Sequence, residues 1–204
     1  MKQRILILIA AMFLGFNSLA QNNKQAFTIG DSSFLLNGKP YIIRCGEMHY
    51  ARIPKEYWRH RLQMIKAMGL NTVCAYLFWN FTEKQPGVFD WSGQANVAEF
   101  CKIAQQEGLY VILRPGPYSC AEWDFGGLPW WLLKDKNMAI RTQYKPYLDA
   151  CRRYLLEVGK QLVPMQITNG GNILMVQVEN EYGSYGKDKD YIGIIRDYIL
   201  EAGF

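Results

Sequence analysis

Histidine is nearly missing from this chain: His49 and His60 are the only two in 204 residues. Neither is spaced with the five cysteines as zinc ligands are, so no ordinary zinc site can be assembled from them. Cys45, Cys74, Cys101, Cys120 and Cys151 are too irregularly spread to form a disulfide framework. Four of them lie inside apolar strand or helix patterns and read as small buried hydrophobes, which leaves Cys120, in a loop, as the one able to bond elsewhere. No Gly-rich turn follows any apolar strand, which weighs against a nucleotide-binding sheet; Gly126-Gly127 and Gly170-Gly171 read as ordinary loop glycines. The net charge of +5 is scattered, without the basic stripe that nucleic acid would require.

What the chain has in quantity is apolar and aromatic surface. Half of its residues are hydrophobic and 14% are aromatic, six of them tryptophan, enough for one well-packed core. The first twenty residues have the parts of a secretory leader. Lys2 and Arg4 precede the apolar stretch "ILILIAAMFLGF", and Ser18 and Ala20 are the small residues that place cleavage before Gln21. The stretch is short for a membrane anchor and no stop-transfer charges follow it. The expectation is an exported protein, periplasmic or extracellular, with no membrane attachment after cleavage. No cysteine follows the cleavage point, so no lipidated N-terminus is expected. Residues 21–25 form a polar stub.

From residue 26 the turn signals Gly30-Asp31 and Asn37-Gly38 separate short apolar runs, the pattern of a β-hairpin leading into a strand. A unit then repeats four times. The strands "YIIRCG", "NTVCAYLFW", "LYVILR" and "NILMVQV" are near-continuous apolar runs. Each precedes a helical pattern: Trp58, Leu62, Ile65 and Met68; then Val97, Phe100, Cys101 and Ala104; then Tyr147, Cys151, Tyr154, Leu155 and Val158; last Tyr191, Ile194, Ile195, Tyr198, Ile199 and Ala202. This is parallel β/α architecture. Four such units fit either a doubly wound sheet or half of a (β/α)8 barrel, whose full length is roughly 250 residues.

In a barrel the chemistry gathers where strands end at their C-terminal edge. Glu47 and His49 follow the first strand, Tyr76 and Asn80 end the second, Arg114 ends the third with Glu122 and Trp123 in the loop beyond, and Asn180 and Glu181 end the fourth. Singly, each has an ordinary explanation: an ion-pair partner for Arg114, a satisfied core histidine for His49, a turn residue for Asn80. Together they describe a mouth of carboxylates, amides and aromatics, which suits a sugar. Glycoside cleavage needs one carboxyl group to protonate the leaving oxygen and a second to stabilise or trap the oxocarbenium-like centre. Residue types alone do not choose between Glu179 and Glu181 for the first role.

Four long segments carry a resemblance. "GGNILMVQVENEYGSYG", "LRPGPYSCAEWDFGGLPWWLL", "GLNTVCAYLFWNFTEKQPGVFDWSG" and "FLLNGKPYIIRCGEMHY" resemble corresponding parts of glycoside hydrolase family 35, the β-galactosidases, from about residue 27 onward. The resemblance implies a (β/α)8 TIM barrel of which residues 26–204 supply the first four β/α units. It implies a retaining exo-β-galactosidase acting on terminal β-galactosides, with no cofactor and no metal. It assigns Glu181 as acid and base and Asn180 as the holder of the sugar's 2-hydroxyl. Tyr76, Cys120, Ala121 and Glu122 become sugar-contacting residues, and Glu179, Tyr182 and Trp123 supporting ones. An acid of this kind works best in a partly apolar pocket, for which Trp123, Tyr76 and a neighbouring carboxylate are at hand. The family's nucleophile is a glutamate near the end of a seventh strand, and no residue here matches it, so a non-catalytic sugar-binding remnant stands as the alternative.

Overall fold

The stretch "YIIRCG" serves two sheets rather than one. The computed structural model describes residues 25–204; the expected leader over residues 1–20, and all of the polar stub but its last residue, lie outside the described residues. Strands β1 (Phe27–Ile29), β2 (Phe34–Leu36) and β3 (Lys39–Tyr41) form an antiparallel sheet, with Phe27 opposite Leu36 and Phe34 opposite Tyr41. Asn37 and Gly38 both have positive φ, as a tight turn between twisted strands requires. The expected hairpin is therefore a three-stranded meander. Residues 42–44 then belong to no strand, and β4 (Cys45–Met48) begins the second sheet. Asn71 makes the join: its Oδ1 accepts from the Arg44 amide and its Nδ2 donates to the Ile42 carbonyl, each at 2.9 Å. An apolar run carries no mark of such a change of partner.

The second sheet is parallel throughout, in the order β4, β5 (Thr72–Tyr76), β6 (Tyr110–Arg114), β7 (Ile173–Val176). In chain order the helices are α1 (Trp58–Ala67), the one-turn α2 (Trp79–Thr82), α3 (Val97–Gln106), α4 (Lys145–Leu162), the short α5 (Tyr182–Tyr185) and α6 (Lys189–Glu201). Asn96 caps α3 by accepting from the Glu99 amide at 2.9 Å, and Asp188 caps α6 by accepting from the Tyr191 amide at 3.0 Å. Every residue of β5 is buried, as a strand covered on both faces must be. The expected faces of α3 and α4 are buried at each position, whereas Met68 lies past the end of α1 and is exposed. The second strand stops at Tyr76, short of the expected Trp79. The Phe81 amide bonds the Phe78 carbonyl and the Glu83 amide the Trp79 carbonyl, turning the chain into α2. Asn80 is thus a helix residue and not a strand end.

Behind the sheet, Tyr50, Trp58 and Phe100 pack ring against ring at 5.2–5.6 Å, and Trp79 stacks on Tyr154 at 4.8 Å. Cys74, Cys101 and Cys151 are buried, and burial pushes the Cys101 thiol up to about 12. Cys45, expected to be buried, is exposed, because β4 is an edge strand among the described residues. No helix of the described residues is long and apolar enough to cross a membrane.

Candidate active site

Parallel strands end at the same edge, and side chains two residues apart share a face. Glu47 lies opposite Cys74 and Tyr76 opposite Arg114, so Glu47, Tyr76 and Arg114 project from one face of the sheet at its C-terminal edge. The Tyr76 hydroxyl donates to Glu47 Oε2 at 2.8 Å. Arg114 Nη1 donates to Glu47 Oε1 at 2.9 Å and to the Tyr76 hydroxyl, its Nε donates to Gln177 Oε1, and its Nη2 donates to Asn180 Oδ1. The guanidinium carbon is 4.0 Å from the centre of the Tyr76 ring. Arg114 is an ion-pair partner, and it is also the cation that joins three strand ends. By taking Asn180 Oδ1 it orients the amide so that Nδ2, which has no acceptor among the described residues, is the free donor.

The segment after β7 is held tightly and in an unusual conformation. The Gln177 amide bonds the Leu113 carbonyl and the Glu179 amide the Gly116 carbonyl. Glu179 and Glu181 have φ of 60° and 47°, in the left-handed region, where a residue other than glycine costs about 1–3 kcal/mol. Glu179 is 1% exposed, and its charge is answered on both oxygens. Oε2 accepts from Arg141 Nη2 at 2.7 Å and from the Asn180 amide at 2.8 Å, while Oε1 accepts from the Tyr191 hydroxyl at 2.6 Å. Burial and then the Glu179 charge hold that hydroxyl well above the ordinary tyrosine range. Glu181 starts α5 with its side chain exposed and unbonded among the described residues. The two glutamates flanking Asn180 therefore differ in kind: one is a buried anion consumed by its surroundings, the other a free carboxyl at the mouth.

The loop after β6 repeats the left-handed backbone at Cys120, Ala121 and Glu122, with φ of 60°, 57° and 47°. This run turns the Ala121 and Glu122 carbonyls toward Arg52, whose Nη1 and Nη2 donate to them. Arg52 Nη1 also donates to His49 Nδ1 at 2.7 Å, which requires a neutral imidazole there. Burial, then the Arg52 charge, lowers the affinity of His49 for a proton, and the Glu47 and Glu122 carboxylates act the other way. Trp123 stacks on Phe78 at 3.9 Å and donates its indole N–H to Asn80 Oδ1 at 2.8 Å, with Arg52 5.0 Å from its ring centre. It braces this loop. Gly126 is not an ordinary loop glycine: its φ is +60°, its carbonyl accepts from the Ser119 and Cys120 amides, and a Cβ there would stand 2.0 Å from the Tyr118 ring. Tyr182 is buried, and its hydroxyl donates to the Arg141 carbonyl at 3.2 Å. Arg52 and Arg141, which bond backbone carbonyls of the two loops, were not among the sequence-derived candidates; arginines in loop segments carry no periodic signal.

A parallel β/α sheet with acidic, amide and aromatic side chains at its C-terminal edge has the make-up of a barrel glycosidase. The exo-β-1,4-mannosidase of an Opitutaceae bacterium matches the fold with a TM-score of 0.67 over 86% of this chain and 32% of its own, at 15% identity, so the fold is of the α/β TIM-barrel type. The family model of glycosyl hydrolases family 35 matches residues 33–203, and the chain belongs to that family. It is 45% identical to a beta-galactosidase of Xanthomonas manihotis over 98% of this chain and 33% of that protein. It is 46% identical to the human beta-galactosidase-1-like protein 2 over 84% of this chain and 27% of that one. The chain thus spans about a third of the length of the curated relatives it matches.

Proposed function

We propose that this chain forms the acid/base half of an exported, retaining exo-β-galactosidase, which removes terminal non-reducing β-D-galactose from oligo- or polysaccharides. The observation that carries the reading is the contrast across Asn180: Glu179 is buried and fully engaged, and Glu181 is exposed and free. Glu181 donates its proton to the glycosidic oxygen as the bond to the sugar breaks. A second carboxylate, from β/α units outside these residues, takes the anomeric carbon as an ester about 5–5.5 Å away. Glu181, now ionised, removes a proton from the water that displaces that ester. Asn180 Nδ2 and the Cys120–Glu122 loop hold the sugar hydroxyls, with Tyr76 beside them.

One observation favours a second reading, a sugar-binding piece without catalysis. Of the other mouth carboxylates, Glu47 is committed to Arg114 and Tyr76, and Glu122 lies in the loop after β6; neither occupies the place the family uses for its nucleophile. Hydrolysis of an aryl β-galactoside by this chain, set against a gene product extended through the rest of the barrel, separates the two.

The residue assignment has its own test in the extended protein. Glu181→Ala should cost about 10²–10⁴-fold on an alkyl β-galactoside, the scale of general acid–base catalysis. A dinitrophenyl aglycone should leave almost normally, with a burst of phenol, and azide should restore turnover as β-galactosyl azide. Glu179→Ala should do none of this. Azide rescue of Glu179→Ala and not of Glu181→Ala would reverse the assignment.

A further inference from the structure

The residues offered to the sugar come from two loops, and one buried cation reaches the framework of both. Arg141 lies in the loop ahead of α4, is 4% exposed, and itself has a φ of 56°. Its Nη2 donates to the Glu179 carboxylate and to the Asn180 carbonyl, so it bonds the side chain before Asn180 and the main chain after it. Its own carbonyl accepts from the Tyr182 hydroxyl, on the far side of Glu181. Its guanidinium carbon lies 4.2 Å from the ring centres of both Tyr118 and Tyr185. Tyr118 belongs to the other loop, where its ring closes on Gly126 at the base of the Cys120–Glu122 run.

Left-handed residues persist where the surroundings over-determine them. Glu179 and Glu181 are both left-handed, and Arg141 bonds the first of them, the residue between them and the residue after the second. We infer that Arg141 is the positioning residue of the acid/base turn: without touching the sugar, it holds the residues on either side of Glu181 and so sets where the Glu181 carboxyl stands relative to the Cys120–Glu122 loop. The inference rests on the acid/base reading of Glu181.

Two aglycones separate positioning from plain structural support. In the protein carrying the complete barrel, Arg141→Ala should lower kcat/KM on an alkyl β-galactoside by about 10–10²-fold, the scale of displacing a catalytic group by about 1 Å. On dinitrophenyl β-galactoside, whose leaving group needs no proton, the loss should stay within about 3-fold. Loss of folded enzyme lowers both substrates alike, so equal losses overturn the inference, as do wild-type rates on both. Should the alanine variant not fold, Arg141→Lys keeps the charge but ends short of the Nη2 position and has no planar guanidinium to set against the two rings. The same inequality is expected of it, and equal losses or wild-type rates overturn the inference again. Glu181→Ala is measured beside them. If it depends on the leaving group and the Arg141 variants do not, the positioning inference alone fails. If Glu181→Ala shows no such dependence, the acid/base reading fails and this inference falls with it.

Discussion

His49 accepts from Arg52 through Nδ1, and a proton placed there would break that bond and set two cations side by side. Its folded-state proton affinity is lowered, first by burial and then by Arg52. As pH falls, the unfolded chain therefore takes up the proton first, at about 6.5, and the folded chain only later. The stability that neutral His49 contributes is present above about pH 6.5 and is lost as pH falls through the lower folded value. Thermal unfolding of the extended protein from pH 7.5 to 5 should show a decline on the acid side that His49→Gln flattens. An unchanged slope in the variant would mean that another group titrates. At the same scale, Glu179 and Glu181 show why composition could not separate two identical side chains one residue apart. Their difference lies in Arg141, Tyr191 and the Asn180 amide, which fold against one and leave the other.

At the scale of the element, the two loops after β6 and β7 owe their shape to left-handed backbone held from behind. Gly126 is where the first of them has no slack. A methyl group there meets the Tyr118 ring at 2.0 Å at a φ that side chains rarely adopt, so either the ring or the backbone must move. Gly126→Ala should cost about 1–3 kcal/mol in urea unfolding, the range of an overpacked site. It should also weaken kcat/KM, because Tyr118 packs against Arg141 and the Cys120–Glu122 run hangs from the Gly126 carbonyl. An alanine variant with wild-type stability and activity would show that the ring has room. The helices α3 and α4 stand at the other extreme. Their buried faces follow from a 3.6-residue period that any neighbouring sheet would satisfy.

For the whole molecule, β4 and β7 each have one neighbouring strand among the described residues, β7 adding only a single bridge from Ile173 to Gln166, and Cys45 and Glu47 on β4 are exposed. Parallel sheets of this kind are covered on both faces, and open edges recruit other strands. The 204-residue chain on its own should therefore associate through the open sheet and unfold without a sharp two-state transition, as read by size-exclusion chromatography and calorimetry. A monomer with a cooperative melt would refute this. An extended protein that supplies strands to both edges should remove the association.

Some of this was legible in the residues because it is local. Apolar runs alternating with amphipathic periods define the parallel β/α order, Asn-Gly defines a tight turn, and long family-specific segments such as "QVENEYGSYG" carry the kinship. What the chain could not disclose is whatever depends on partners distant along it. The break at residues 42–44 is held by Asn71, whose amide bonds Ile42 and Arg44 between the two sheets, and the second strand stops at Tyr76 because the chain turns into α2 just beyond it. Arg114 becomes the bridge among Glu47, Tyr76 and Asn180 only when four strand ends meet at one edge. A side chain's chemistry is local, but its role is set by the groups that desolvate, charge and hydrogen-bond it, and those are brought together only by the tertiary fold.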